Sequence, residues 1–292
     1  MSLRNILSIS VLALATAASA SAGTILFDDF NYPIGPLDGQ NGGIGWAGSW
    51  VGIPEYVVAA GSLSYCDASG CLQQSGNRAQ FVPSSLAGTN SLRTLSSLGS
   101  NGSTFWLSFL ISFDGTLAQN EADIRIDGKN GNLSVGRELI DQTNWSVEDS
   151  ASATPYTQSS IPIVPGQALF AAIRIDQNAD PNASDTVTVY LDPHPAAVPG
   201  ASPGVVGMVF TDLNFNTSNI AMALDGAAFP NPLTTGFVAN YDPIRGGTTY
   251  FDVAPEASSV VPEPASWSLI AGVLAIIAGA VRRRARDGRH FE

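Results

Sequence analysis

Short apolar or β-rich runs alternate along the chain with stretches of Gly, Pro, Asn and Ser. Between the two ends, these runs keep the two-residue period of half-buried strands and show no long helical period. Residues 105–111 and 169–173 are apolar on both faces, which is typical of central strands. The predicted strands are residues 24–30, 56–60, 78–81, 91–95, 104–113, 123–126, 144–148, 168–176, 186–191, 220–224 and 248–253.

Ten or more short strands without helices predict an all-β fold for residues 23–254. Strands of this length, separated by turn residues, favour an antiparallel two-sheet sandwich of the jelly-roll type. Residues 255–264 then form a linker rich in Pro and Ser. The sequence therefore predicts one β-sandwich domain with different segments at its two ends.

The N-terminal segment, residues 1–22, has the pattern of a signal peptide. Arg4 supplies positive charge, and residues 6–18 form an apolar run too short to cross a bilayer comfortably. Small residues follow and lead up to a predicted cleavage site after Ala22. We therefore expect the domain to be exported.

The C-terminal segment predicts a transmembrane helix over residues 265–281, which contain no charged residue. Residues 282–292 follow as a basic tail that begins with Arg282, Arg283 and Arg284. The positive-inside rule places this tail in the cytoplasm and the body outside it, in agreement with the signal peptide.

Directly before the predicted helix lies the motif Pro262-Glu263-Pro264. Motif, helix and arginine cluster, in this order at the end of the chain, resemble the PEP-CTERM sorting tag. The resemblance implies that an exosortase, a membrane-embedded cysteine transpeptidase, removes the tail. It also implies an inner-membrane precursor with a periplasmic body, delivered afterwards to the cell envelope or the extracellular matrix.

The body resembles concanavalin A-like/laminin G-like domains over most of residues 24–253, including two segments near its start. Residues 27–33 read FDDFNYP, and residues 37–46 read LDGQNGGIGW. The resemblance implies a jelly-roll sandwich, and it implies no definite ligand because that fold carries lectins, glycosidases and adhesion modules.

Charge narrows the range of partners for the exported part. Residues 23–260 contain seven basic and 22 acidic residues, a net charge of −15. Nucleic acid is excluded because it requires clustered Lys and Arg. An extracellular polysaccharide remains as a partner for the body, alongside the exosortase and the membrane for the C-terminal segment.

The two cysteines of the chain, Cys66 and Cys71, are separated by four residues. In an oxidising exported compartment, such a pair predicts a disulfide that closes a small loop. Two free thiols are the alternative.

One strand carries acidic residues in a pattern that points to chemistry. Glu121 and Asp123 match the first two positions of the catalytic strand of laminarinase-type glycosidases, but Arg125 occupies the third position and Asp127 follows. Because a cation should depress the pKa values of neighbouring carboxyl groups, we predict no catalytic residues and a non-catalytic binding or structural module. The alternatives are a polysaccharide-active glycosidase and a purely structural matrix component.

Two further sets of residues are candidates for ligand contacts. Asp176, Asn178 and Asp180 follow the spacing of a Ca²⁺ loop, although Pro181 and Val187 depart from its later positions, and a polar hairpin is the alternative. No other cofactor is predicted. Three aromatic residues in or beside a Gly-rich loop are candidates for stacking on a sugar, with core packing as the alternative: Trp46, Trp50 and Tyr56.

Overall fold

A computed structural model describes residues 24–68, 70–83, 89–115, 120–138, 143–200, 207–216, 220–228 and 236–256. The predicted signal peptide, sorting motif, transmembrane helix and basic tail lie outside these residues and stay predictions. Across the residues that the structure does describe, none forms an apolar helix of membrane-spanning length.

The described residues form fifteen strands and one short helix. They are β1 (Leu26–Asp28), β2 (Gly35–Pro36), β3 (Tyr56–Ala59), β4 (Arg78–Phe81), β5 (Thr89–Thr94), β6 (Thr104–Asp114), β7 (Asn120–Asp127), β8 (Asn132–Arg137), β9 (Asn144–Asp149), β10 (Tyr156–Pro162), β11 (Leu169–Asp176), β12 (Thr186–Leu191), β13 (Met208–Phe210), β14 (Ala221–Ala228), β15 (Val238–Gly247) and α1 (Tyr250–Val253).

The strands form two sheets, and every pair of neighbouring strands is antiparallel. The nine-stranded sheet has the order β13-β12-β11-β6-β15-β4-β3-β2, with β1 also pairing with β15. The six-stranded sheet has the order β10-β9-β8-β7-β14-β5. The predicted all-β, antiparallel two-sheet sandwich is confirmed.

Side chains from both sheets form the main hydrophobic core. On β7 the residues at alternate positions, Ala122, Ile124 and Ile126, are fully buried and belong to this core. The same alternation on β6 buries Phe105, Leu107 and other residues from the opposite sheet. Successive side chains of a strand point to opposite faces, so the residues between these core positions of β7 point away from the core. They include the acidic residues of this strand.

The last predicted strand, residues 248–253, is wrong, because the structure places helix α1 there. A capping box begins this helix: Thr249 is the N-cap, and Asp252 accepts a hydrogen bond from the Thr249 backbone N–H at 2.8 Å. Tyr250 and Val253 of the helix pack on the outer face of the nine-stranded sheet. They join a second apolar cluster with Trp106 and Phe170.

The predicted Cys66–Cys71 disulfide is confirmed, with the two Cα atoms 4.0 Å apart. Within its loop, the backbone N–H of Asp67 donates to the Gly70 carbonyl at 2.9 Å. The Asp67 carboxylate contacts His194 Nδ1 at 2.5 Å. The disulfide loop is thereby linked to the segment that follows β12.

Candidate functional site

The outer face of the six-stranded sheet, which points away from the core, carries a dense group of acidic side chains. Strand β7 contributes Glu121, Asp123, Arg125 and Asp127, which alternate with its core residues. Asp225 on β14 lies directly opposite Asp123 in the strand register. The two-residue period of a strand places the four β7 side chains on one face, and the neighbouring strands add further acidic residues to it.

A third acidic residue, Glu138, lies beside β7 on the side of β8, opposite the side of β14. Arg137 pairs with Ala122 in the register of these two strands, so Glu138 continues the ladder opposite Glu121. Gly136 pairs with Asp123, and a Cβ atom at Gly136 would lie only 2.5 Å from the Asp123 Cβ. Because Gly136 has no side chain, there is room for the side chain of Asp123.

Glu121, Asp123 and Glu138 form what we call the acidic triad. One carboxylate oxygen from each residue lies within 4.8 Å of the others. Asp123 and Glu138 are each only 3% exposed. Within the described part of the chain, Asp123 Oδ1 and Glu138 Oε1 have no hydrogen-bond partner. The triad therefore holds buried acceptor atoms that a ligand or a proton could satisfy.

Burial and mutual repulsion favour the neutral forms of these carboxyl groups. Burial raises the pKa of Glu138 to about 8, and the charges of the neighbouring carboxylates add to the shift. Burial likewise raises the pKa of Asp123 well above its ordinary value, with the charge of Glu138 as the next contribution. The pKa of Glu121 is raised for the same two kinds of reason. A carboxyl group that keeps its proton near neutral pH has the property of a general acid.

Arg125 does not have the effect on the triad that the sequence suggested. Its guanidinium forms ion pairs with Asp127, at 2.8 Å from Nε, and with Asp225. Its charge lowers the pKa of Asp225, yet burial outweighs this contribution and the net shift is upward. The pKa of Asp123 is also raised, so the expectation of depressed carboxyl pKa values beside Arg125 is wrong.

The outer face also includes a tyrosine at its edge. Glu148 on β9 lies opposite Tyr156 on β10, and the two side chains share a hydrogen bond. Tyr156 is 42% exposed. An exposed ring beside acidic groups offers a surface on which a sugar can stack.

Three carboxylates at the spacing of the acidic triad could hold a hard divalent cation such as Ca²⁺ if all three were ionised. A bound cation would itself favour the ionised forms of Asp123 and Glu138, whose pKa values are raised in the protein alone. The same geometry and the raised pKa values also suit acid–base chemistry at the acidic triad.

The loop with the predicted Ca²⁺ spacing is held together by its own hydrogen bonds. Asp176 Oδ1 accepts from Thr104 Oγ1 at 2.6 Å and from Arg174 Nε at 3.0 Å. Asn178 Oδ1 accepts from the Asp180 backbone N–H at 3.0 Å, and Asp180 Oδ1 accepts from Asn182. These contacts are those of the polar hairpin between β11 and β12, the alternative that the sequence left open. A Ca²⁺ ion at this loop stays a prediction.

The predicted sugar-stacking residues lie in or against the core. Trp50 and Tyr56 are fully buried, which contradicts their predicted contact with a sugar. Trp46 is partly buried, and the Arg93 guanidinium lies 4.7 Å from the centre of its ring. All three residues are therefore packed in or against the core, which is the alternative interpretation of these aromatic residues.

The fold resembles that of polysaccharide-degrading enzymes, although no protein-family profile and no curated protein matches the sequence. The endo-β-1,4-glucuronan lyase of the fungus Trichoderma reesei has 10% identity and a TM-score of 0.51, covering 80% of this chain and 100% of the lyase. A PL-14 alginate lyase of Aplysia kurodai has 8% identity and a TM-score of 0.42, covering 66% and 98%. An endo-acting O-glycanase structure from the human gut microbiota has 7% identity and a TM-score of 0.46, covering 77% and 99%.

The prediction of a non-catalytic module is contradicted by the first of these similarities, since the chain shares its sandwich with an endo-β-1,4-glucuronan lyase. That prediction also assumed that Glu121 and Asp123 have no third acidic residue beside them, and the structure of the acidic triad contradicts this assumption. Glu138, directly after β8, is a third acidic residue beside Glu121 and Asp123. Glu138 could not be recognised from the sequence, because neither the strand that precedes it nor its register with β7 was predicted.

The raised carboxyl pKa values predict how stability changes with pH. Burial raises the pKa of Glu138, on the six-stranded sheet, and of Asp242, on β15, to about 8 each. Such groups hold a proton in the folded protein at pH values where the unfolded chain has released it. Their contribution to the free energy of unfolding is therefore complete below the unfolded pKa and is lost as the pH rises through about 8.

We expect the free energy of unfolding to fall between pH 5 and pH 8, at up to about 1.4 kcal/mol per pH unit for each such group. Urea unfolding at several pH values measures this slope. Glu138→Gln removes one titrating group and should flatten the curve, and Asp242→Asn should do the same independently. A curve that rises with pH in the unmodified protein would contradict the assignment.

Proposed function

We propose that the protein is a polysaccharide-active enzyme that hydrolyses glycosidic bonds at the acidic triad. The observation that carries this proposal is the convergence of three carboxyl groups, with oxygens within 4.8 Å, on one face of a sandwich shared with a polysaccharide-degrading enzyme. Glycoside hydrolysis needs a proton donor and a second carboxylate that flank the scissile bond. The acidic triad supplies both.

The different environments of the three residues suggest their roles. Glu138 is buried and keeps its proton to about pH 8, so it is the general acid that protonates the leaving oxygen. Glu121, the least buried member, is the nucleophile that attacks the anomeric carbon. Asp123 lies next to Glu121 on the same face of β7, opposite Gly136 of β8, and Ser134 donates a hydrogen bond to it.

The spacing of the acids predicts the stereochemical course. Retaining glycosidases have their two carboxyl groups about 5–5.5 Å apart, and inverting enzymes separate them by about 6.5–9.5 Å to admit a water molecule. The triad oxygens that lie within 4.8 Å of one another are closer together than the inverting arrangement requires, which favours the retaining one. Glu121 then forms a covalent glycosyl ester while the alcohol leaves with the Glu138 proton, and water later cleaves the ester with Glu138 as the base.

Polyuronate elimination is less compatible with this face. The fold is shared with a lyase of glucuronan, which is a polyanion. On the outer face of the six-stranded sheet, however, the guanidinium of Arg125 is already paired with Asp127 and Asp225. A uronate would therefore meet like charge, and electrostatic repulsion would oppose its binding.

The test is release of reducing sugar by the full-length protein from a panel of neutral, amino-sugar and uronate polysaccharides. We expect hydrolysis of at least one non-uronate polymer, with the first product in the same anomeric configuration as the substrate by NMR. Unsaturated products that absorb in the ultraviolet would indicate elimination instead. An absence of cleavage across the whole panel would argue against catalysis.

We also propose that this enzyme is exported and sorted by an exosortase to the envelope or the extracellular matrix. The support is the order of Pro262-Glu263-Pro264, an uncharged run at residues 265–281, and the arginine cluster that follows. A polysaccharide-active domain outside the cytoplasm would meet its substrate directly.

The mature protein from its host is expected to lack residues 266–292. Intact-mass analysis measures this directly. Replacing Glu263 with Ala should block removal of the tail but leave membrane insertion unchanged, because the apolar run itself is intact. Recovery of the complete arginine-rich tail on mature protein would contradict the proposal.

A further inference from the structure

We propose that the acidic triad recognises an amino group at C2 of the sugar, so that the substrate is a polysaccharide with free amines. This inference rests on the proposed function and adds a substrate class to it. Asp123 is the specificity-determining residue. The ligand is a polymer of 2-amino-2-deoxy sugar units that are not N-acetylated.

The charge of the outer face of the six-stranded sheet favours a cationic ligand. Arg125 is the one basic residue of strand β7, and both of its ion pairs are internal to this face. The acidic residues that surround it are Glu121, Asp123, Asp127, Glu138, Glu148 and Asp225. An ammonium group would favour the ionised forms of these carboxyl groups and reduce the repulsion among them, whereas a neutral hydroxyl group would do neither.

The unsatisfied oxygens of the triad require donors rather than acceptors. Asp123 Oδ1 and Glu138 Oε1 are buried and have no hydrogen-bond partner within the described residues. A buried polar atom without a partner destabilises the protein, so a ligand that satisfies it gains affinity. An ammonium group offers three N–H donors to these acceptors, and an alcohol offers one.

The position of Asp123 relative to the nucleophile suggests which sugar carbon carries the amine. Glu121 attacks C1 in the proposed reaction, and Asp123 lies two residues further along the same face of β7, a separation of about 6.6–7 Å between Cα atoms. Its carboxylate oxygen reaches within 4.8 Å of that of Glu121. The C2 substituent is bonded to the carbon next to C1, so it is the substituent that such a neighbour can contact.

The test is isothermal titration of full-length Glu138→Gln protein with four β-1,4-linked hexamers, all with EDTA present to exclude metal bridging. The hexamers contain glucosamine, N-acetylglucosamine, glucose or glucuronate. We expect the glucosamine hexamer to bind at least tenfold more tightly than the others at pH 6 and low salt. Adding 0.5 M NaCl should reduce this preference, because screening weakens the charge interaction.

Asp123→Asn in the same background separates local recognition from the overall negative charge. It keeps the size of the side chain but cannot ionise when an ammonium group binds, so the glucosamine preference should fall to within about threefold. Glu256→Gln removes one exposed carboxylate next to helix α1 and should leave the preference unchanged. A preference that survives Asp123→Asn, or equal affinity for all four hexamers, would overturn the inference.

These outcomes are distinct from failure of the proposed function. Hydrolysis of a neutral polysaccharide by unmodified protein, without an amine preference in the titrations, would reject the inference and support the enzyme. An amine preference that Asp123→Asn removes, without hydrolysis of any polymer, would support the inference and reject the catalytic role.

Discussion

Glu138→Gln is expected to lower kcat for a polysaccharide by about 10²–10⁴-fold, the usual contribution of a general acid. Glutamine has nearly the same shape but cannot donate the proton that the leaving oxygen needs. The effect should depend on the leaving group. A dinitrophenyl glycoside leaves without protonation, so formation of the glycosyl-enzyme from this substrate should be nearly normal in the variant.

Glu121→Gln should abolish turnover of both kinds of substrate, because no covalent intermediate can form without the nucleophile. In Glu121→Ala, which leaves room for an external nucleophile, adding azide should restore activity toward the dinitrophenyl glycoside and produce a glycosyl azide of inverted configuration. Glu256→Gln is the control and should retain full activity, since its carboxylate is exposed near helix α1. If Glu121→Gln keeps the activity of the unmodified protein, the assignment of the acidic triad is incorrect.

The acidic triad shows which part of the site a sequence can reveal. Glu121 and Asp123 lie on one face of one strand, and alternation along that strand is visible in the sequence. Glu138 joins them only through the register of β8 with β7, which long-range pairing decides. Strand β8 was not predicted because its sequence, NLSVGR, is short and contains a glycine. The proton affinity of the cluster depends on this contact and was therefore missed.

In the fold, too, patterns within one strand could be read from the sequence, whereas features decided by pairing between strands could not. Long apolar runs such as those of β6 and β11 were predicted as central strands, and the structure places them next to each other. Strand β15, which pairs with β1, β4 and β6, was missed because its sequence includes Pro243 and two glycines. The register shifts between Asp242 and Arg245, so Pro243 lies at an irregularity where no ladder hydrogen bond is required.

A buried ion pair connects the two sheets on the side of the core. Asp28 ends β1 of the nine-stranded sheet, and Arg93 lies on β5 of the six-stranded sheet. Arg93 Nη1 is 2.6 Å from Asp28 Oδ2, and the two side chains are at most 1% exposed. Tyr32 and Trp50 also donate to Asp28 Oδ2, at 2.8 Å and 3.0 Å.

Arg93 is fully engaged by these and other acceptors. Its Nε donates to the Gly48 carbonyl at 2.7 Å, and Nη2 donates to Asn41 Oδ1 at 2.9 Å and to the Gly42 carbonyl at 2.8 Å. A planar guanidinium can satisfy such a set of acceptors, and a lysine ammonium cannot. The network therefore holds the Gly-rich loop after β2 against both sheets.

Arg93→Met is expected to lower the free energy of unfolding by about 3–5 kcal/mol, because it leaves the Asp28 carboxylate buried without its cation. Arg93→Lys should recover part of this loss, since it restores the charge but not the fork of donors. The control is Arg174→Met, which removes an ion pair with Asp176 whose arginine is 43% exposed. Exposed pairs contribute about 0–1 kcal/mol, so urea unfolding should separate the two variants clearly. Equal and small losses in both would mean that apolar packing, rather than the ion pair, joins the sheets at this point.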